Sequence, residues 1–358
     1  MKRRVILLLI VVLVPVLVRA GWRDLPALPK ALAQATAAVD AQGALYVLGG
    51  GDRQNNFGAA YRFTVADGWR EITAMPVSLE RGAAVQLDGK IYLPGGYQGR
   101  ELDGTLLIYD LAGDAWSTGP AVPEARYGYR AAVADGKLYL IGGGDALDKA
   151  QAACWAFDPA KGEWSAVASL AQARKYHGSA VLDGKIVVYG GVNNDGATPA
   201  YLTSTEIYDP VADAWTAGPA LPVSFWGGAS GVVAGKAWAC AGLQNAAPAA
   251  ACFALGLSDS SWSSVEASAG AVYRVGSGAD TLVIAGGEEL NDRGFAFSTA
   301  VRVYYETPAD DDDDDDNDDN DDNDDNDDND DNDDNDDNDE SPSAAGGDDD
   351  DDDHGCGC

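Results

Sequence analysis

Two histidines, His177 and His354, are the only imidazoles in 358 residues. A zinc or copper centre built on imidazole needs several of them around one ion. A multi-histidine metal site is therefore excluded. No serine nucleophile elbow and no glycine-rich phosphate loop is present either. The carboxylates that could form an acid/base pair are Glu80, next to Arg81, and Glu288 with Glu289. The same groups also read as solvated loop carboxylates. Two arginines are more orderly. Arg126 and Arg174 each stand nine residues before an aspartate, Asp135 or Asp183, that opens an Asp-Gly turn. They occupy equivalent positions of a repeat.

The cysteines allow redox chemistry at one place. Cys240 and Cys252 flank a hairpin loop, and two readings stand open: a cross-strand disulfide, as an oxidising compartment permits, or two buried thiols. Cys154 lies in an apolar strand and reads as core. Cys356 and Cys358 belong to the C-terminal segment.

The elements that carry these residues repeat. Trp22, Trp69, Trp116, Trp164, Trp215 and Trp262 recur at steps of 47, 47, 48, 51 and 47 residues. Diglycines keep the same step at Gly49-Gly50, Gly95-Gly96, Gly142-Gly143, Gly190-Gly191 and Gly286-Gly287, with Ala241-Gly242 as a degenerate copy. A fixed period of this length means one supersecondary unit in an array. Within each unit, Asp-Gly dipeptides at Asp88, Asp135 and Asp183 sit between apolar runs and predict hairpins. Each unit then holds four short strands. The tryptophans are expected in the core between units. Tryptophan and diglycine run out of phase, however. The chain opens on a fourth-strand ending at Trp22 and finishes on three strands after Gly286-Gly287. An N-terminal strand that completes the last unit would repair this and leave no open sheet edge.

Diglycine, then Tyr-Asp-Pro as at Tyr208-Asp209-Pro210, then tryptophan, on this step, resembles the Kelch repeat over residues 22 to about 305. The resemblance implies an all-β, six-bladed propeller with one repeat per blade. It also implies a ligand face, made by the loops after each diglycine and the segments entering each first strand. Carried onto this sequence, those segments hold Arg53, Asn55, Tyr97, Arg81, Arg126, Tyr127, Arg174, Tyr176, His177, Trp226, Tyr273 and Arg274. Arginines and aromatics around one channel mouth suit an anionic or carbohydrate partner. Pairing of those arginines with neighbouring carboxylates is the competing reading. Binding of a protein or glycan is the expected function. The alternative is a carbohydrate-acting enzyme resembling the periplasmic sialic-acid mutarotases. No cofactor is expected, and a monomer is.

The chain ends frame this domain, read as residues 21–307. Residues 1–20 combine a basic start at Lys2-Arg3-Arg4, an apolar run from Val5 to Val18, and Val18-Arg19-Ala20. They read as a signal peptide, too short to span a membrane comfortably. Export to the periplasm, cell surface or medium follows, with no integral membrane segment once it is cleaved. The net charge of −34 sits mostly at the other end, because residues 310–353 hold half of the 58 acidic residues and no base. Nucleic-acid binding, which wants a basic face, is excluded. The Asp/Asn-rich residues 308–358 are expected to be disordered and extended. They would serve as an acidic spacer that binds Ca2+ diffusely and weakly. The ending Gly-Cys-Gly-Cys resembles the opening of sorting signals in some surface-anchored bacterial proteins.

Overall fold

The computed structural model describes residues 21–305, apart from 53–54, 195, 197, 246, 269–271, 274–281 and 292–293. The signal-peptide and spacer readings lie outside these residues. Five successive sheets each hold four antiparallel strands. Blade 1 is Thr36–Val39, Leu45–Leu48, Ala60–Thr64 and Gly68–Glu71. Blade 4 is Gly178–Leu182, Lys185–Tyr189, Thr205–Asp209 and Ala214–Gly218. In the sixth sheet the order is Gly21–Leu25, Val301–Tyr305, Val283–Ala285. The N-terminal strand thus completes the last blade, with Gly21 opposite Tyr305 and Leu25 opposite Val301. The six-bladed ring and its closure are as the phase of the repeats predicts.

The turn chemistry matches the residues. Asp183 and Gly184 have φ of 47° and 74°, both positive, as a two-residue turn fitted to strand twist requires. The first glycine of four of the five diglycines lies against a carbonyl of the following blade, whereas Gly95 lies against Asp103 of its own blade. A Cβ at Gly190 would meet the Phe225 oxygen at 2.3 Å, and one at Gly286 the Leu32 oxygen at 2.2 Å. The second glycine donates to that same carbonyl: Gly191 N to Phe225 O at 2.7 Å, Gly287 N to Leu32 O at 2.8 Å. The diglycine is therefore a clasp between blades.

The tryptophans make a second clasp, and here the expectation needs correcting. Only Trp262 is fully buried; the other five repeat tryptophans are half-buried on outer strands. One ring face packs on the third-strand aromatic of the same blade, as Trp164 does on Phe157 and Trp215 on Tyr208. The indole N–H reaches back to a carbonyl on the loop of the preceding blade. Trp69 donates to Pro26 at 2.7 Å, Trp116 to Thr73 at 2.8 Å, Trp164 to Pro120 at 3.1 Å, Trp215 to Ala168 at 2.8 Å and Trp262 to Pro219 at 3.0 Å. An indole has this one donor. Placing it at the blade edge explains why the ring is not withdrawn into the core.

Candidate ligand-binding site

At the diglycine end of the propeller a second tier of backbone pairing stands above the blades. The segment entering each first strand pairs with the segment that follows the diglycine of its own blade. The pairs are Ala33 with Gly51, Glu80 with Tyr97, Tyr127 with Gly144, Lys175 with Val192, Trp226 with Leu243 and Tyr273 with Glu288. The two sets of expected ligand residues therefore meet in one place. One residue further along each entry segment, a chain of backbone hydrogen bonds runs around the channel. Arg81 N donates to Gln34 O at 2.9 Å, Gly128 N to Arg81 O at 2.7 Å, Tyr176 N to Gly128 O at 2.6 Å and Gly227 N to Tyr176 O at 2.9 Å. All five residues have positive φ, between 54° and 66°. For Gln34, Arg81 and Tyr176 this is a strained conformation. The inter-blade bonds hold it, and the side chains of Arg81 and Tyr176 are thereby fixed at the channel entrance.

Above this ring lies a cleft of about 300 Å³, bounded by Arg81, Tyr127, Lys175, Tyr176, Tyr201 and Trp226. Its aromatic rings, with Tyr97 beside them, follow one another around the mouth. Centroids are 4.7 Å apart for Tyr97 and Tyr127, 5.7 Å for Tyr127 and Tyr176, and 5.8 Å for Tyr176 and Trp226. Tyr201 and Trp226 follow at 6.2 Å with planes only 10° apart. Tyr127 is buried, whereas Tyr201 is 43% exposed and offers its ring to solvent. The Arg81 guanidinium sits 5.0 Å from the Tyr97 ring and pairs with Glu80 at 3.1 Å.

The strongest electrostatic feature is around Lys175, which is 5% exposed. Its Nζ donates to the Tyr127 hydroxyl at 2.8 Å and to Asp148 Oδ1 at 2.6 Å. The Tyr127 hydroxyl donates to the same Asp148 oxygen. Asn194, on the next blade, donates to the Asp148 carbonyl. The loop that carries Asp148 is thus fastened across two blades, with an ammonium, a phenol and a carboxylate in mutual contact at the cleft wall. Arg130 faces the channel below. It donates to the carbonyls of His177 at 2.6 Å and Gly228 at 3.1 Å, and burial lowers its pKa to about 10. Among the described residues no group of histidine, cysteine, aspartate and glutamate is arranged to hold a metal ion.

Comparison with known proteins adds the decisive observation. The sequence model described as the KLHDC2/KLHL20/DRC7 Kelch-repeats domain matches residues 19–171 and again 118–287. The chain belongs to the Kelch-repeat family. Among solved structures, the one described as "Structure of YjhT" matches this Kelch propeller with a TM-score of 0.65. It covers 78% of this chain and 97% of its own, at 17% identity, a likeness of fold. No curated protein matches the sequence.

Within the Kelch ring the sequence-predicted residues separate into three groups. Arg81, Tyr97, Tyr127, Tyr176 and Trp226 come together around the mouth. Arg126, Arg174 and His177 lie in the wall beneath it, 1%, 0% and 0% exposed. Arg174 donates to Gly190 O at 2.8 Å, Ser204 O at 3.1 Å and Glu206 Oε1 at 2.6 Å. The two ring nitrogens of His177 sit 3.2 and 3.1 Å from the carbonyls of Gly178 and Ile141. Burial first, then the Arg174 charge, lowers its pKa to about 3, so it is neutral. Asn55 is exposed at the blade 1 loop, bonded to Asp52 Oδ1 at 2.9 Å. Tyr273 lies in a strand of the second tier. Arg53 and Arg274 lie outside the described residues. Sequence reasoning missed Lys175, Asp148 and Tyr201. Lys175 was legible: it occupies the same repeat position as Tyr127 and Trp226.

Cys240 and Cys252 stand opposite each other in blade 5, with Cα atoms 4.2 Å apart, and form a disulfide. Cys154 is a buried thiol whose pKa burial pushes up to about 11. It is a core residue and not a nucleophile.

Proposed function

We propose that this chain is an exported Kelch-propeller binding module that holds its ligand in the cleft at the channel mouth. The observation that carries the reading is the run of successive aromatic rings ending on exposed Tyr201, with the Arg81 and Lys175 cations beside it. Flat apolar faces next to charged donors suit the apolar face of a sugar ring together with its hydroxyl or carboxylate groups. A glycan is the preferred ligand, and a protein segment that offers an acidic group is the other. The test is binding of the full chain to a glycan array, repeated with Trp226→Ala and Tyr201→Ala. Binding lost in both variants supports the reading. Binding unchanged in both removes it.

A second reading, a carbohydrate-acting enzyme, draws on the contact among Lys175, Tyr127 and Asp148. A phenol between an ammonium and a carboxylate is equipped to give or take a proton. Incubating any glycan that binds and following it by NMR separates the two readings. Faster interconversion of anomers or new bond cleavage, abolished by Tyr127→Phe, favours the enzyme.

Export and the acidic segment complete the proposal. The leader sends the chain to an oxidising compartment, where the Cys240–Cys252 bond is stable. Residues 308–358 act as a spacer near the cell surface, binding Ca2+ only in the millimolar range. A micromolar Ca2+ transition in circular dichroism would contradict this part.

A further inference from the structure

A second cleft, of about 670 Å³, lies between blades 2 and 3. Its walls include Tyr97, Arg100 and Glu101 from the tall blade 2 hairpin, Glu124 and Arg126 from the entry to blade 3, and Gln151. The volume is that of small-molecule sites.

What sets it apart is Arg126. Its side chain is 1% exposed, yet among the described residues its hydrogen-bond acceptors are a single carboxylate, Glu124, and the Gly142 carbonyl at 3.5 Å. Arg174 occupies the same position one blade on and is surrounded by acceptors: Gly190 O, Ser204 O and Oγ, and Glu206. Strand register puts Ala153 and Trp155 of blade 3 where blade 4 has Ser204 and Glu206. Arg126 therefore keeps donors to spare among its five. The fold does not demand a charge there, because the equivalent residues of blades 1, 2 and 5 are Leu32, Leu79 and Phe225. The counterion itself is loosely held, since the Glu124 side chain is 55% exposed. A rotation of Glu124 into water would open a guanidinium floor whose planar fork matches a carboxylate.

We propose that this cleft binds a small zwitterionic carboxylate of the α-amino-acid class, whose carboxylate takes the place of Glu124 on Arg126. The second charge follows from the walls. Once displaced, Glu124 stands with Glu101 and Asp145 around the rest of the ligand, three carboxylates against the single cation of Arg100, and their excess repels a dianion and attracts an ammonium. This site adjoins the channel mouth through the Tyr97 ring, but its ionic anchor, Arg126, is not part of the mouth, and the proposal does not rest on the function proposed there.

The experiment is isothermal titration of the full chain with L-serine, L-glutamine and L-lysine, alongside their methyl esters and succinate. At least one amino acid should bind saturably. Its ester, which lacks the carboxylate for Arg126, and succinate, which brings a second negative charge among the wall carboxylates, should each bind roughly tenfold more weakly or worse. Arg126→Leu, which places there the residue type of blades 1 and 2, should abolish the signal while circular dichroism stays native. Glu124→Gln removes both the competing carboxylate and one charge that repels a dianion, and should narrow the preference for the amino acid over succinate several-fold. Trp226→Ala should leave it unchanged. The proposal falls if neither the wild type nor Glu124→Gln binds any of the three at millimolar concentration. It falls equally if Arg126→Leu binds as the wild type does, or if Trp226→Ala removes binding.

Discussion

The Trp22 indole N–H points at the Glu266 carbonyl at 3.5 Å, a contact across 244 positions of sequence. It is the same clasp that the other five repeat tryptophans make to the blade before them, here formed by the strand that closes the ring. The Trp22 ring also meets Tyr304 edge-on at 5.6 Å, and Tyr304 packs on Trp238 of blade 5 at 4.6 Å. The seam between blades 5 and 6 is therefore aromatic. Loss of a fully buried tryptophan costs about 3–5 kcal/mol, and Trp22 is half-buried. Trp22→Ala should then cost about 2–3 kcal/mol and lower the melting temperature by several degrees. Scanning calorimetry of the variant checks this, and an unchanged melting temperature would mean that the strand does not close the ring.

The Arg174–Glu206 pair, 0% and 7% exposed, should be costly to break from one side. Glu206→Ala leaves a buried guanidinium without its carboxylate, an effect of about 3–5 kcal/mol. Adding Arg174→Leu, the residue type of blades 1 and 2, should recover a large part of that loss. Urea denaturation of the single and double variants measures both values. Equal stability of the two would show that the guanidinium left without its carboxylate carries no cost.

His177 makes stability depend on pH. Burial holds its folded pKa near 3, well below the 6.5 of an exposed imidazole. The unfolded chain therefore takes up a proton before the folded one does. The stabilisation is complete above pH 6.5 and is lost progressively as pH falls toward 3. His177→Gln should flatten this slope. The check is the difference in melting temperature between wild type and variant across pH 3.5–7.5, which should narrow as pH falls. A constant difference would rule out the buried neutral imidazole as its source.

The disulfide should be visible by mass. Alkylation of the denatured chain without reductant should leave Cys240 and Cys252 unmodified. The double variant Cys240→Ala/Cys252→Ala should lose about 2–3 kcal/mol, the loop-closure contribution for a separation of 12 residues. Full alkylation without reduction would mean that no bond forms.

The spacing of glycines and tryptophans made the ring legible, since both residues serve contacts that recur once per blade. The closure was legible because Trp22 arrives before any diglycine. The tryptophans themselves were read too deep, because spacing locates a ring but not the direction of its N–H. Arg126 and Arg174 stood at correct repeat positions, yet their depth was hidden. Aligning them with Leu32, Leu79 and Phe225 would have shown an inward-facing position. Tyr201 and Asp148 sit in loops that differ from blade to blade, and Tyr201 lies in the unit with the longest step. The repeat says nothing about such loops, although they supply one whole side of the cleft.

The central claim is that the aromatic and cationic mouth binds a ligand. The most direct measurement is glycan-array binding of the full chain beside Trp226→Ala, followed by titration of the strongest hit. The account predicts saturable binding by the wild type and a loss of roughly tenfold or more in the variant, the worth of one stacking aromatic at the centre of a site. Wild-type and variant chains that bind the same glycans with the same affinity would contradict it.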